Sequence, residues 1–265
     1  MLKKWNLFLT TIPYIIVVVL IRALISDVFG FEGWVTFRDV ALILTGGIFL
    51  TGFMLSGTMA DYKESEKIPS EIASYFETAE DTINHISSIA KSPIDRTPYL
   101  KQLASTVDIL IDWLYKRKSQ EDYYESLHQF AVKMADLEKE GANGSAVGKL
   151  FGDIHNIRKI TTRVAVISRT DFLATGYALL EVLIFSIHVV LMIANYQSSI
   201  AEKVLTPVIS MIYIYMYRLI RDVDDPFEYE DGKEPGVTEI PLFPITEYRE
   251  RLQSRIEAAE GSSKS

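Results

Sequence analysis

The chain has 265 residues, of which 48% are hydrophobic and 23% are charged, and its formal net charge is −8 at pH 7. This negative charge argues against nucleic acid as a partner. The sequence has no cysteine, which excludes disulfides, thiolate metal sites and cysteine nucleophiles. His-x-x-x-His pairs and glycine-rich phosphate loops are missing as well, so we expect that the protein is not an enzyme.

Four apolar blocks are long enough to cross a bilayer. Twenty helical residues cover about 30 Å of hydrocarbon at 1.5 Å per residue. The first block is too long for the apolar core of a signal peptide, and no small-residue cleavage site follows it. The blocks run over Trp5–Ile25, Val40–Met59, Phe172–Asn195 and Val204–Ile220, the last extended by residues from Ile200 onward.

Basic residues near the ends of these blocks predict the orientation. Lys3 and Lys4 precede the first block, and Arg218 and Arg221 lie at the end of the fourth. Lysine and arginine are enriched on the cytoplasmic side of membrane helices. We therefore expect a multi-pass protein of the cell inner membrane, embedded in the lipid bilayer with both termini in the cytoplasm.

The polar segment 61–171, between the second and third blocks, has helical periodicity. Apolar residues recur at spacings of three and four, which is the pattern of amphipathic helices. The predicted class is an all-α membrane protein, with four transmembrane helices and a helical cytoplasmic bundle inserted between the second and third. The predicted domains are 1–60, 61–171, 172–220 and 221–265. The apolar stripes are Ile72/Phe76/Ile83/Ile86, Leu103/Val107/Leu110/Ile111/Leu114, Leu127/Phe130/Ala131/Met134/Leu137 and Val147/Leu150/Phe151/Ile154/Ile157.

The second block is the best candidate for a pore-lining helix. It is rich in glycine, serine and threonine, and such residues let helices pack closely. The same composition suits a helix that lines a pore together with its symmetry copies. Phe49 and Phe53 would then form apolar rings that gate by dewetting, with Thr45 one turn further along the same face.

The third block contains two ionisable residues, Glu181 and His188. They are seven residues apart and therefore share a helix face. One interpretation is structural, with hydrogen bonds to a neighbouring helix such as the one that carries Tyr213, Tyr215 and Tyr217. The other is a permeation or proton-relay role, because charges at membrane depth usually face protein or water.

The helix that leads into the third block has a basic face. His155, Lys159 and Arg163 follow one another at spacings of four. Such a face commonly only solvates a helix or pairs with acids nearby. Repeated around a symmetric oligomer, Lys159 and Arg163 would instead form a positive vestibule that concentrates anions.

An acidic run follows the fourth block. Asp224, Asp225 and Glu228 precede Glu230 and Asp231. The run is interpreted as a solvated linker, as a partner for the basic residues nearby, or as a set of oxygen ligands for calcium. Calcium, with Asp224, Asp225 and Glu228 as ligands, is the one candidate cofactor.

Several stretches resemble the bestrophin family and its prokaryotic relatives. The sequence Phe-Leu-Thr-Gly-Phe at 49–53 resembles the bestrophin neck helix, and 61–66 resembles the tyrosine-and-acid segment after it. The Asp-Pro-Phe of 225–227 and the Ile-Pro-Leu of 240–242 are similar to the family's ending, after which a helix is expected over Tyr248–Glu257.

This resemblance implies an anion channel, and chloride is the ion expected. It implies assembly from identical subunits, with a pentamer favoured, and a C-terminal segment that packs against neighbouring subunits. Aligning the family on Tyr62 gives a second register, in which Ile48, Gly52 and Ser56 form the neck. Two further functions stay open. One is a proton-coupled transporter or sensor that uses Glu181 and His188; discontinuous helices would support it, and only Pro13 and Pro207 hint at such breaks. The other is a non-conducting membrane scaffold.

Overall fold

The computed structural model describes residues 3–30, 33–90, 92–170, 172–229 and 236–263. Within these ranges the chain is almost entirely helical, which confirms the all-α prediction. Two short strands, β1 (Val35–Thr36) and β2 (Ala194–Asn195), pair in parallel. The α-helices are α1 (Asn6–Ala23), α2 (Phe37–Ser65), α3 (Ile68–Ile89), α4 (Thr97–Leu114), α5 (Gln120–Lys139), α6 (Gly144–Ile167), α7 (Ala174–Ile193), α8 (Ser199–Asp224) and α9 (Phe243–Ser263).

The chain divides into two compact units. The first unit contains α1, α7, α8 and most of α2, and the second contains α3 to α6 together with α9. Asp171, the predicted end of the inserted segment, lies outside the described residues. The first unit is Met1–Lys63, Asp171–Pro226 and Gly236–Thr238, and the second is Glu64–Thr170, Phe227–Pro235 and Glu239–Ser265.

Most of each predicted apolar block falls in one helix of the first unit, and the third block also includes β2. These four helical stretches are long and apolar enough to cross a membrane by length and composition. Helix α8 begins at Ser199, in agreement with the predicted extension of the fourth block. Neither proline interrupts its helix, because α1 continues through Pro13 and α8 through Pro207.

A buried arginine joins three elements of the first unit. Arg22, at the end of α1, is 6% exposed. Its Nε donates to Oε1 of Glu202 in the first turn of α8 at 2.6 Å. Its Nη atoms donate to the carbonyl oxygens of Met192 and Ala194, at the C-terminal end of α7. A cation near a helix C-terminus is favourable, because the last carbonyls have no partner within the helix.

The strand pair lies beside this arginine and requires a glycine. Val35 pairs with Ala194, and Thr36 pairs with Asn195. Gly33 precedes β1 with a φ of 89°, and a Cβ atom there would lie 2.8 Å from the backbone nitrogen of Asn195. Any other residue at position 33 would be strained, because the backbone there is left-handed and Asn195 lies too close for a side chain.

The second unit has a core made from the predicted apolar stripes. Most stripe residues on α3, α4, α5 and α6 are buried, which confirms the helical periodicity. Ile111 and Ala131 are half-buried. The prediction is wrong for Phe151, which is 40% exposed because it lies at the edge of the apolar arc of α6.

Helix α9 completes this core from the C-terminal end of the chain. Its residues Ile245, Tyr248, Leu252 and Ile256 are buried, so the helix expected over Tyr248–Glu257 is present and covers apolar surface. The hydroxyl of Tyr248 donates to the carbonyl oxygen of Phe76 at 3.1 Å, and burial raises the pKa of that hydroxyl.

Ion pairs fix α9 to α3 and α4. Arg255 Nη1 donates to Oε2 of Glu80 at 2.8 Å, and Glu80 is only 1% exposed. This hydrogen bond raises the pKa of Arg255 above its ordinary value. Arg249 Nε donates to Asp108 at 2.6 Å, and Arg251 pairs with the more exposed Glu77 at 3.4 Å.

We expect Arg255→Ala to loosen α9 in the full-length protein. The substitution leaves the buried carboxylate of Glu80 without its arginine, at a cost of about 1–2 kcal/mol after allowing for the water that reaches the half-exposed arginine. The matched variant Arg251→Ala is expected to cost less than about 0.5 kcal/mol. Hydrogen exchange of the α9 amides measures the free energy of opening of α9 in each variant. Equal decreases of that free energy in the two variants would contradict a larger contribution from the Arg255–Glu80 pair.

Candidate functional site

Helix α2 has one buried face and one open face. The buried face contacts α7 and α8 through two apolar clusters. One cluster unites Val40 and Leu44 with Ile187 and Tyr213, and the other joins Met54 to α7 and α8. The hydroxyl of Tyr213 donates to the carbonyl oxygen of Leu44 at 2.5 Å.

The predicted neck residues all lie on the open face of α2. Phe49 is 78% exposed and Phe53 is 58% exposed, and Thr45 is exposed as well. The residues of the second register, Ile48, Gly52 and Ser56, are also exposed. At 100° per residue the two sets overlap on one continuous surface. The fold of one chain therefore places both registers together and does not choose between them.

The glycines of α2 differ in their surroundings. A Cβ atom at Gly47 would lie 2.7 Å from both Ile187 Cδ1 and the hydroxyl of Tyr213, and one at Gly57 would overlap the ring of Phe172. At Gly46 and Gly52 a Cβ atom would meet nothing within 4 Å. Gly47 and Gly57 thus serve close helix packing within the chain, whereas Gly46 and Gly52 face outward.

Glu181 and His188 lie on α7 and do not contact each other. Seven residues separate them along the helix axis by about 10 Å. The hydroxyl of Tyr217 donates to Oε1 of Glu181 at 2.5 Å, and Arg221 Nη1 donates to that hydroxyl at 3.2 Å. His188 Nδ1 lies 2.7 Å from the carbonyl oxygen of Ile184. The hydrogen bond that the structural interpretation predicts is therefore present for Glu181.

The basic face of α6 is exposed, but its charges are not equivalent. His155, Lys159 and Arg163 all face solvent within the second unit. Arg163 donates through Nε and Nη2 to the two carboxylate oxygens of Glu64, at 3.3 and 3.2 Å. The charge of Arg163 is therefore largely offset, and Lys159 makes no ion pair within the part of the chain that the structure describes.

The acidic run has polar partners on both units. In the first unit, both carboxylate oxygens of Asp224 accept from the backbone N–H of Phe172 at 3.2 Å. In the second, Glu228 lies 4.0 Å from Lys116 Nζ. Glu230 and Asp231 lie outside the described residues. Among those described, no three Asp, Glu, His or Cys side chains form a group that could hold a metal ion.

Arg22 and Glu202 are the polar pair that the sequence does not reveal. They are 180 residues apart, and each one alone resembles an ordinary charged residue near the end of a helix. The only signal is that Arg22 lies inside an apolar block, where an isolated charge would be costly.

Comparisons with solved structures identify the architecture. A bacterial bestrophin homologue from Klebsiella pneumoniae aligns with a TM-score of 0.75 and 12% identity, over 93% of this chain and 98% of that chain. A tyrosine-to-alanine variant of a bestrophin homologue from the same organism aligns with a TM-score of 0.72 and 12% identity, over 92% and 99%. The chain has the bestrophin fold. No family model matches the sequence, and no curated protein matches it.

The bestrophin fold agrees with the resemblance found in the sequence motifs. The Phe-Leu-Thr-Gly-Phe stretch lies in α2, and the segment 61–66 covers the end of that helix. The Ile-Pro-Leu ending is anchored in the second unit, where Ile240 and Leu242 are buried. The hydroxyl of Tyr229 donates to the carbonyl oxygen of Ile240 at 2.6 Å.

We expect two adjacent glycines of α2 to respond differently to alanine. Gly47→Ala forces the side chains of Ile187 and Tyr213 to move and should destabilise the first unit by about 1–3 kcal/mol. Gly46→Ala meets open space and should be neutral or stabilising by up to about 1 kcal/mol, because alanine favours the helix. Thermal unfolding of the two full-length variants in detergent compares them. A lower melting temperature for Gly46→Ala than for Gly47→Ala would contradict the close packing of Gly47 against Ile187 and Tyr213.

Proposed function

We propose that this chain is one subunit of a homo-oligomeric, chloride-conducting anion channel of the bestrophin type in the inner membrane. Helices α1, α2, α7 and α8 are the four transmembrane helices, and α3 to α6 form a cytoplasmic bundle between the second and third. Both termini are cytoplasmic. The proposed domains are 1–60, 61–171, 172–220 and 221–265.

The observation that carries this proposal is the open face of α2. The helix leaves most of the Phe49 and Phe53 side chains uncovered, at 78% and 58% exposure. Residues 40–60 include no charged side chain. A long uncharged helix, packed on one side and open on the other, suits assembly of identical copies around an axis. Since the bestrophin resemblance implies a pentamer, five copies are the favoured number.

The neck of the proposed pore is apolar. Rings of Phe49 and Phe53, with Thr45 one turn away, would leave a gap that water fills poorly, and such constrictions gate by dewetting. The second register replaces these rings with Ile48, Gly52 and Ser56. The first register is preferred because the two phenylalanines are the large apolar side chains that a hydrophobic constriction needs.

The mouth of the proposed pore is basic. Lys159 and Arg163, repeated in every subunit, would form a vestibule that raises the local concentration of anions. Lys159 contributes most, because Glu64 offsets Arg163. Calcium is not part of the proposal, because the side chains of Asp224, Asp225 and Glu228 do not come together in a group that could hold a metal ion.

Current through planar bilayers tests this function. We expect purified wild-type protein to carry an anion current, and particles imaged by electron microscopy to have fivefold symmetry. Phe49→Ala and Phe53→Ala should raise the conductance several-fold and weaken discrimination among anions, because the dewetting barrier shrinks. The matched variant Leu179→Ala, on α7 and exposed to a similar extent as Phe53, should behave as wild type.

Two results would contradict the proposal at different levels. Unchanged conductance and selectivity in both phenylalanine variants, with a change in Ile48→Ala, would move the neck to the second register. A reconstituted wild-type protein without reproducible current would remove the channel and leave the two alternatives, the transporter or sensor that uses Glu181 and His188 and the non-conducting scaffold.

A further inference from the structure

A groove is lined by α1, α7 and α8 within the first unit. Its volume is about 600 Å³. Apolar side chains form most of its wall, among them Val17, Ile184, Phe185 and Val189. On α7 the lining extends from Glu181 to Met192, which corresponds to about 16 Å along the helix axis.

One end of this groove is basic. Tyr14 and Tyr217 line that end, and each ring lies close to an arginine. The guanidinium carbon of Arg218 is 5.5 Å from the centre of the Tyr14 ring, and that of Arg221 is 6.0 Å from the centre of the Tyr217 ring. The two cations therefore lie next to the lining of a groove that is mostly apolar and also contains Glu181 and His188.

The partners of these arginines leave a surplus of positive charge. Arg218 Nη1 donates to the hydroxyl of Thr11 at 2.9 Å, which is a neutral partner. Arg221 donates to Tyr217, whose hydroxyl in turn donates to Glu181. Within the described residues neither arginine makes a salt bridge. Arg221 thus reaches the carboxylate of Glu181 only through the hydroxyl of Tyr217, and Arg218 has no acidic hydrogen-bond partner among the described residues.

We propose that this groove binds one anionic phospholipid, with an acyl chain along the trough and the phosphate at Arg218 and Arg221. Guanidinium groups bind phosphate oxygens in a bidentate manner. Basic pockets between membrane helices on the cytoplasmic side bind anionic head groups. The site rests on the membrane placement proposed above but not on conduction.

An anionic phospholipid fits the groove better than other occupants. A free phosphate would use the basic rim but leave the apolar trough uncovered. A lipid with a neutral head group would fill the trough without using the surplus charge. The groove offers both features side by side, and a bilayer supplies anionic lipid at its cytoplasmic surface.

Lipid titration of the purified full-length protein tests the site. Delipidated protein in detergent is titrated with dioleoylphosphatidylglycerol or dioleoylphosphatidylcholine, and bound lipids are counted by native mass spectrometry. Because the two lipids share their acyl chains, the difference reports the head group. We expect the anionic lipid to bind about tenfold more tightly. If the wild-type protein binds the two lipids with equal affinity, the proposal is overturned, and no variant is needed to show it.

Charge variants locate the binding site. Arg218→Gln combined with Arg221→Gln should abolish the preference for phosphatidylglycerol, whereas Arg38→Gln, an exposed arginine at the start of α2, should keep it. Arg218→Lys retains a positive charge and should retain most of the preference. A preference that survives the double substitution would refute the assignment.

A groove-filling variant separates lipid from other occupants. Val189→Phe should weaken phosphatidylglycerol binding and leave the oligomer mass unchanged, while Val208→Phe, exposed on α8 outside the groove, should change neither. Loss of the oligomer in Val189→Phe with lipid binding intact would identify a subunit interface instead. Excess inorganic phosphate should leave the lipid bound, and full displacement would identify a free-phosphate site. None of these readouts measures current, so a non-conducting protein could still pass them.

Discussion

Arg22 brings a formal charge into the apolar first unit, where it is 6% exposed. Transfer of a charge out of water costs several kcal/mol unless partners replace the water. Glu202 supplies the opposite charge, and the carbonyl oxygens of Met192 and Ala194 take further hydrogen bonds. These groups come from α1, α8 and the end of α7, so the charge is tolerated only when the three helices meet at this point.

The open face of α2 follows from this arrangement of helices. Since α7 and α8 cover one side of α2, the opposite side keeps Phe49 and Phe53 exposed. Gly47 and Gly57 allow the close approach on the covered side. The helix is thereby held by its own chain through one face, and the other face stays largely uncovered.

Much of this architecture could be predicted from local sequence patterns. The stripes of α3 to α6 repeat with the helical period, and burial follows that period closely. Phe151 departs from it because it lies at the edge of the apolar arc. Pairings between distant residues could not be predicted, since Arg163 and Glu64 are 99 residues apart and Arg22 and Glu202 are 180 apart. For the candidate site, the helix could be predicted but its register could not, because both sets of neck residues share the open face.

The two sets of proposed neck residues on α2 also have a geometric relation. They are offset by three positions, which on an α-helix corresponds to a turn of about 60° around the axis. Rotation of α2 by that angle would exchange the side of Thr45, Phe49 and Phe53 for the side of Ile48, Gly52 and Ser56. The open face of a single helix therefore carries two phenylalanines next to a side with smaller residues. Gly47, packed against Ile187 and Tyr213, is the point of contact at which such a rotation would meet resistance.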